Sequence, residues 1–104
     1  MAELDPHVLA PARLKLMITL TAASEAEFST IRDTLGVSDS VLSKHLAALE
    51  TANYVKRRKG VHHGRRTTWI SLTPRGRKAL QAHVVALQEL IGEYPLAEGA
   101  IGLR

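Results

Sequence analysis

Apolar residues recur at helical spacing along much of the chain, and residues with capping preferences flank these stretches. Asp5 and Pro6 predict a short first helical turn, because Asp caps helix N-termini and Pro suits the first helical position. A second helix is predicted from about Pro11 to Ala22, followed by a polar linker over residues 24–27. The face expected to turn inward carries Leu14, Met17, Ile18 and Leu20.

Two further helices separated by a glycine follow this linker. The first is predicted over Ser29–Leu35 and ends at Gly36, which suits a left-handed stop. Ser38 is the N-cap candidate of the second, which runs from about Asp39 to Ala52, and Asn53 favours another left-handed stop. The inward face of this second helix carries Leu42, Leu46 and Leu49. A helix, a glycine turn and a helix are together typical of a helix-turn-helix unit, although many helical hairpins share the pattern.

Strand-like patterns appear only after this unit. Residues 54–61 and residues 67–73 predict two strands, the second rich in β-branched and aromatic residues, joined by the polar turn HHGRR. Together they predict a β-hairpin with a basic tip. Thr73 and Pro74 then begin a long helix that is expected to end near Gly92.

These elements predict a mainly α fold with a small β-hairpin (α+β) in a single domain over residues 1–104. The chain has 104 residues, of which 45% are hydrophobic, and this is enough for one packed core. The expected parts are N-terminal helices (1–22), the helix-turn-helix unit (29–53), the hairpin (54–73), the last helix (74–92) and a tail (93–104).

Several classes of function are excluded by missing residues and motifs. The absence of cysteine excludes disulfide scaffolds, thiolate metal sites and cysteine nucleophiles. The chain has no glycine-rich phosphate loop, nucleophile elbow or HExxH motif, so we expect neither an enzyme nor a cofactor. Adjacent side chains on a strand point to opposite faces, so His62 and His63 are not expected to converge on one metal ion. The longest apolar stretch, residues 14–23, is too short to span a membrane, and a cytoplasmic location is expected.

The distribution of charge is more informative than the net charge of +4. From Thr51 to Gln88 there is no acidic residue, and this stretch holds nine of the fourteen Lys and Arg residues. A surface polarised in this way favours an anionic partner, with nucleic acid as the first candidate and an anionic membrane as the second. A solvated basic face without a partner is the remaining alternative.

Two sequence runs, LGVSDSVLSKHLAALE and WISLTPRGRKAL, resemble a winged helix-turn-helix transcriptional regulator of the small MarR/ArsR-like bacterial group. The likeness covers about residues 4–92. It implies that the second helix of the motif lies in the DNA major groove and that the hairpin, or wing, contacts phosphates or the minor groove. It also implies a homodimer through the terminal helices. Asn53 stands where this family usually has glycine, and the chain is shorter than typical MarR proteins, so the helices that shape their ligand pocket are reduced.

The expected recognition helix turns a small, polar surface outward near its N-terminus. Serine donates or accepts hydrogen bonds there, and lysine favours guanine. Asp39 is expected to cap the helix, with a hydrogen bond from cytosine N4 as the alternative. His45 is expected to pack or to touch phosphate. The candidate DNA contacts on this helix are Ser38, Asp39, Ser40, Ser43 and Lys44.

The basic residues of the wing are expected to neutralise phosphates, with arginines near Gly64 entering the minor groove. The candidate contacts are Lys56, Arg57, Arg58, Lys59, His63, Arg65 and Arg66. Arg75 and Arg77 are candidate phosphate contacts, because cations in the first turn of a helix oppose its dipole unless an anion is bound.

Surplus apolar residues predict a homodimer. Leu9 and Leu16 lie off the main face of the first helices, and His83 and Leu90 broaden the stripe of the last helix. The expected interface residues are Leu9, Leu80, Val84, Leu87 and Ile91. The expected function is sequence-specific binding to double-stranded DNA as a repressor, and the sequence does not reveal whether a small-molecule effector acts on it. The alternatives are a protein-interaction module for an acidic partner and a nonspecific nucleic-acid binder.

Overall fold

The computed structural model describes residues 3–94, and its elements follow the predicted order. The helices are α1 (Pro6–Leu9), α2 (Pro11–Thr21), α3 (Phe28–Leu35), α4 (Asp39–Thr51) and α5 (Pro74–Glu93). The strands are β1 (Ala26–Glu27), β2 (Val55–His62) and β3 (Arg65–Leu72). The predicted α+β class is confirmed, while most of the predicted tail lies outside the described residues. None of the helices within residues 3–94 has the length and apolar character that a membrane crossing requires.

Capping geometry confirms the predicted starts of α1, α4 and α5, whereas α3 begins one residue earlier than predicted, at Phe28, without a side-chain cap. Asp5, Ser38 and Thr73 each accept a hydrogen bond from a backbone N–H two or three residues further along the chain. Each bond satisfies a donor that the first helical turn leaves without an intrahelical partner. Gly36 and Asn53 both have left-handed backbone conformations, with φ of 66° and 63°. Asn53 therefore takes the left-handed position that glycine usually occupies in the family that the sequence resembles.

Helix α2 lies at the centre of the helical layer and packs against α3, α4, α5 and β3. The face predicted for it is wrong in part, because Leu16 is fully buried and Ile18 is half exposed. With neighbours on several sides, the helix buries a broader surface than one stripe. The core consists of Val8, Leu16, Met17, Leu20, Ile31, Leu42, Leu46, Leu49, Val55, Ile70 and Leu80.

A short strand replaces part of the predicted polar linker. Ala26 and Glu27 form β1 and pair antiparallel with Ile70 and Trp69 of β3, which gives the sheet order β1-β3-β2. A strand of two residues has no alternating pattern that a sequence could reveal. It ties the segment before α3 to the base of the hairpin.

The hairpin turn is tighter than the predicted HHGRR loop. Strands β2 and β3 pair along their whole length, from Val55 opposite Leu72 to His62 opposite Arg65. Only His63 and Gly64 remain in the loop, and both have positive φ, at 52° and 75°. Two left-handed central residues are characteristic of the turn that matches the twist of hairpin strands.

Helix α5 is longer than the core on which it packs. Its first three turns bury Gly76, Leu80, His83 and Ala86 against the rest of the chain. Beyond Ala86 the same side of the helix is exposed to solvent, with Ile91 57% exposed and Tyr94 66% exposed. Leu80, expected in a dimer interface, instead belongs to the core of the chain.

The start of α5 is pressed against the turn that joins α4 to β2. The Thr73 backbone N–H donates to the Tyr54 carbonyl oxygen at 3.0 Å, and the Thr73 hydroxyl donates to the Asn53 carbonyl oxygen at 2.6 Å. A Cβ atom at Gly76 would lie 2.0 Å from the Tyr54 carbonyl oxygen. Only glycine allows this approach, since the atom in the way belongs to the backbone.

We expect Gly76→Ala to lower the free energy of unfolding by about 3 kcal/mol, the upper part of the usual range for overpacking. Gly92→Ala is the matched control, because it lies in the same helix and has open space around it. That control should stabilise the protein by about 0.5–1 kcal/mol, since alanine restricts the unfolded chain more than glycine does. Urea unfolding followed by circular dichroism measures both, and equal stability of the two variants would contradict the packing argument.

Candidate nucleic-acid interface

Helix α4 presents its polar residues outward because its leucines fix its orientation. Leu42, Leu46 and Leu49 are fully buried, so the opposite side of the helix faces solvent. Ser40 and Lys44 are exposed on that side. Of the predicted contacts, Ser38, Asp39, Ser40 and Lys44 are exposed and Ser43 is half-buried. The structure thus brings the predicted set together around the first two turns of α4.

Asp39 does not cap α4, contrary to the expectation. Ser38 supplies the capping hydrogen bond, and Asp39 Oδ1 accepts from Arg32 Nη1 at 2.9 Å. Arg32 also donates to Asp33, and the two carboxylates, Asp39 first, raise the pKa of the Arg32 guanidinium. Arg32 thus links α3 to the first turn of α4. It occupies one of the two carboxylate oxygens of Asp39, Oδ1.

Val41 is an exposed apolar side chain on the same surface, and the sequence reasoning did not select it. It follows Ser40 in the first turn of α4 and is 39% exposed. Helical periodicity places Val41 about 100° around the helix from the buried leucines, so the sequence could have shown that it is exposed. It was not selected because it is apolar, whereas polar residues were sought as DNA contacts. Apolar side chains on a groove-facing helix can contact the methyl group of thymine.

His45 of α4 is half-buried beside α2, which agrees with the packed one of its two expected roles. Its Nδ1 accepts a hydrogen bond from Arg13 Nε at 3.3 Å. Partial burial, followed by the charges of Arg13 and Lys44, lowers the pKa of the His45 imidazole. At neutral pH it is therefore an uncharged acceptor that holds Arg13 of α2 beside α4.

The wing (β2, β3 and their turn, residues 55–72) has two distinct faces, because neighbouring residues on a strand point in opposite directions. Arg57 reaches Glu50 near the end of α4, so its face is here called the α4-side face. The cross-strand pairs place Arg57, Lys59, Val61 and Arg66 on the α4-side face. They place Arg58, His62, Arg65 and Trp69 on the other face, here called the outer face. Arg65 and Arg66, predicted together as contacts, therefore project from opposite faces.

Two of the predicted wing contacts are held in ion pairs within the chain. Arg57 Nε lies 2.6 Å from Glu50 Oε1, and Arg58 makes two hydrogen bonds to Glu25 at 2.6 and 3.2 Å. The hydrogen bond from Arg58 is the main cause that lowers the pKa of Glu25. Arg58 also lies over the Trp69 ring, 5.7 Å from its centroid. These pairs fix the base of the wing to the body of the protein.

The other basic residues of the wing stay available. Within residues 3–94, no carboxylate forms an ion pair with any of the remaining lysines and arginines, which are Lys56, Lys59, Arg65 and Arg66. All of them are exposed. Arg75 and Arg77, in the first turn of α5, are likewise exposed and make no ion pair with a described residue.

The histidines of the wing tip are engaged locally. His62 Nε2 lies 3.3 Å from Glu27 Oε1, and its ring packs edge-on against Trp69 and His63. Thr67 donates a hydrogen bond to the other oxygen of Glu27. In the part of the chain that the structure describes, no three histidine or acidic side chains converge as metal ligands.

Comparison with known proteins agrees with this geometry. Residues 12–91 match the family described as the winged helix DNA-binding domain. The uncharacterized protein MJ0432 of Methanocaldococcus jannaschii is 31% identical over 78 residues, which cover 75% of this chain and 85% of that protein.

Solved structures show the same fold. The transcriptional regulator homologue of Pyrococcus horikoshii OT3 is 29% identical, with a TM-score of 0.79 over 86% of this chain and 89% of that one. A mutant E. coli MarR in complex with operator DNA is 22% identical, with a TM-score of 0.67 over 85% of this chain and 63% of that one. The chain therefore belongs to the family of winged helix DNA-binding domains and has the fold of the MarR-like transcriptional regulators.

Proposed function

We propose that the chain is a sequence-specific regulator that binds double-stranded DNA as a homodimer and acts as a cytoplasmic repressor. The observation that carries this proposal is the exposed polar surface of α4 beside a wing on which Lys56, Lys59, Arg65 and Arg66 form no ion pair with any residue of the range 3–94. The operator DNA bound by the related E. coli protein supports the same assignment. In the proposed complex, α4 lies in the major groove and the wing lies on phosphates or in the minor groove.

The first two turns of α4 provide the proposed base contacts. Ser40 and Lys44 project from the exposed side, and the short side chain of Ser40 allows close approach to base edges. Lysine donates to the O6 and N7 acceptors of guanine, and serine accepts or donates according to the base. Val41 adds an apolar contact between them. The N-terminal amides of the helix favour a nearby phosphate.

The α4-side face of the wing provides the proposed phosphate contacts, with Lys59 and Arg66 as its free cations. Arg57 on this face is already paired with Glu50, so it contributes less to an interaction with DNA. His63 and Arg65 extend the basic tip towards the other side. Arg75 and Arg77 are proposed as further phosphate contacts from α5.

The bare side of α5 provides the proposed dimer surface. Leu9, Val84 and Ile91 are 51%, 36% and 57% exposed, while Leu87 is half-buried. Leu90 and Tyr94 widen the patch. A second copy of the chain would cover this surface, and two-fold pairing matches the symmetry of a palindromic operator, with half-sites about 34 Å apart.

Selection of bound DNA from a random pool tests the proposal and the role of α4. We expect the wild-type protein to enrich a palindromic motif, and Lys44→Ala to change the preferred base at one or two positions. Loss of one good base contact costs about 1–3 kcal/mol at that position. Thr51→Ala is the matched control, since Thr51 is exposed at the far end of the same helix and its hydroxyl bonds to the backbone. Failure of the wild-type protein to enrich any motif would contradict sequence-specific binding.

The salt dependence of binding tests the wing. Replacing both Lys59 and Arg66 with alanine should lower the log–log slope of affinity against salt by about 1.8, since each phosphate contact contributes about 0.9. Arg57→Ala is the comparison variant and should change the slope by less than one contact, because Glu50 already neutralises it. Arg65→Ala reports separately on the outer face. An unchanged slope in the double variant would show that the α4-side face does not meet phosphates.

A charge on α5 tests the dimer. Ile91→Glu should yield a folded monomer in light scattering, with sharply reduced operator affinity, because the new carboxylate would be buried in the interface. Ala82→Glu, on the opposite side of the same helix, introduces the same charge and should leave the dimer intact. A wild-type protein that stays monomeric at tens of micromolar would overturn the dimer proposal.

A further inference from the structure

A cluster of hydrogen bonds joins three parts of the chain where α1, the α4–β2 turn and α5 meet. The Asp5 backbone N–H donates to His83 Nδ1 at 2.9 Å, across 78 positions of sequence. The Tyr54 hydroxyl donates to Asp5 Oδ2 at 2.5 Å, across 49 positions. The other carboxylate oxygen, Asp5 Oδ1, caps α1 through the backbone N–H of His7. Asp5, the N-cap residue of α1, is therefore hydrogen-bonded both to α5 and to the turn that follows α4.

His83 has an unusual environment for a titratable side chain. It is only 1% exposed, and Nε2 has no hydrogen-bond partner among the described residues. Because Nδ1 accepts a hydrogen bond, the single proton of the ring is on Nε2 and the imidazole is uncharged. Its neighbours one turn away on α5 are Ala79, Leu80, Ala86 and Leu87, none of which can accept a proton or balance a charge.

We propose that Asp5, Tyr54 and His83 form a proton-sensitive latch, and that protonation of His83 opens it and weakens DNA binding. The proposal rests on the proposed DNA-binding function. The three residues are here called the latch. It would make the regulator sensitive to acidification of its surroundings.

The geometry explains how one proton would open the latch. A second proton on the ring must go to Nδ1, where it would face the Asp5 N–H, so two donors would meet and the hydrogen bond would be lost. The resulting cation would be buried with no acceptor at Nε2, and this strongly favours a conformation in which the ring is released. Helix α1 has only four residues and one buried side chain, Val8, so losing this anchor matters for its position.

The release would reach α4 through Tyr54. This residue follows the left-handed stop at Asn53, directly after the end of α4, and its carbonyl oxygen accepts from Thr73 at the start of α5. The latch therefore lies between the helix proposed to read DNA and the helix proposed to form the dimer. Opening it would change the angle between these two helices, and a dimer binds two half-sites only when that angle is right.

Two further charged or titratable groups lie beside the latch residues: His7, whose Nδ1 is 3.4 Å from Asp5 Oδ1, and Arg75, which interacts electrostatically with Tyr54. Of the other packed elements, α2 carries Arg13, which bonds to His45, and Lys15, while Arg65 and Arg66 lie at the far end of β3 beside the hairpin turn. Burial alone would raise the pKa of the Asp5 carboxyl, but hydrogen bonds from Tyr54 and His7 outweigh it and the pKa is lowered. Asp5 therefore stays ionised while histidines titrate.

Histidines elsewhere would act in the opposite direction. Protonation of His62 and His63 adds positive charge to the wing tip and should tighten binding to phosphates. Protonation of His45 adds positive charge beside α4. A loss of affinity in acid therefore cannot arise from added charge on the DNA-binding surface, and it points to the latch.

The test is operator affinity measured by fluorescence anisotropy at constant ionic strength, from about pH 8 to about pH 5.5. We expect the wild-type protein to lose affinity about tenfold or more, which corresponds to one buried hydrogen bond lost. His83→Asn should abolish this loss, because the amide Oδ1 can accept from the Asp5 N–H in place of Nδ1 and takes up no proton in this range. His7→Gln is the matched control from the same cluster, and it should keep the wild-type loss.

The outcomes separate the latch from the proposed function. A wild-type protein that binds no DNA at any pH overturns the proposed function. A wild-type protein that binds DNA without an acid loss, or a His83→Asn variant that keeps the loss, overturns the latch. Circular dichroism checks that each variant is folded.

A measurement on the wild-type protein alone keeps the latch testable if His83→Asn does not fold. In the ¹⁵N spectrum of the imidazole, His83 should carry its proton on Nε2 at neutral pH. The amide resonance of Asp5 should shift in step with the protonation of His83. A proton on Nδ1 at neutral pH, or an Asp5 amide that does not follow His83, would overturn the latch.

Discussion

The contact between the Tyr54 carbonyl and Gly76 determines where the functional elements of this protein lie. At this point the end of α4, the base of the wing and the start of α5 come within hydrogen-bond distance of one another. The absence of a side chain at Gly76 lets α5 begin against the backbone of the α4–β2 turn. Because the atom nearest to Gly76 belongs to the backbone and cannot rotate out of the way, this close approach sets how near α5 can come to the turn after α4, the helix proposed to read DNA.

The basic residues of the wing fall into two groups, those that form ion pairs within the chain and those that remain available to a partner. The acid-free stretch from Thr51 to Gln88 has one sign of charge, but Arg57 and Arg58 are paired with carboxylates from outside it. Exposed ion pairs of this kind contribute little to stability, so their main effect is to hold the hairpin in one orientation. The remaining cations extend into solvent from a base that is already fixed, which lowers the entropy lost when they meet an anionic partner.

The order of elements could be predicted because its signals are local. Caps such as Ser38 and Thr73, stops such as Gly36 and Asn53, and the leucines of α4 act within a few residues of the chain. Contacts between distant residues could not be predicted. The pairing of Ala26 with Ile70, the burial of Leu16 in place of Ile18, and the ion pair between Glu25 and Arg58 depend on which elements become neighbours after folding.

The candidate site, like the fold, could be predicted where local signals determine it and not where contacts between distant residues do. Periodicity placed Ser40 and Lys44 on the outer side of α4, because only the helix itself determines that direction. It did not divide Arg65 from Arg66 by face, because both were assigned to the turn and not to β3, where the structure places them. It also treated His83 as part of an apolar stripe, because the hydrogen bond that explains its burial comes from Asp5, near the other end of the chain.

Because α5 is long, a small rotation at its anchored end produces a large displacement at its other end. With 20 residues it is about 30 Å long, and only its first half is anchored in the core. In the proposed dimer, a rotation of about 6° at one end would move the other by about 3 Å, close to the rise of one base pair. Small changes in packing at the anchored half would therefore alter the spacing of the two DNA-reading helices by a step that DNA distinguishes. In the proposed dimer, a local change in the anchored part of α5 would in this way reach both DNA-binding surfaces.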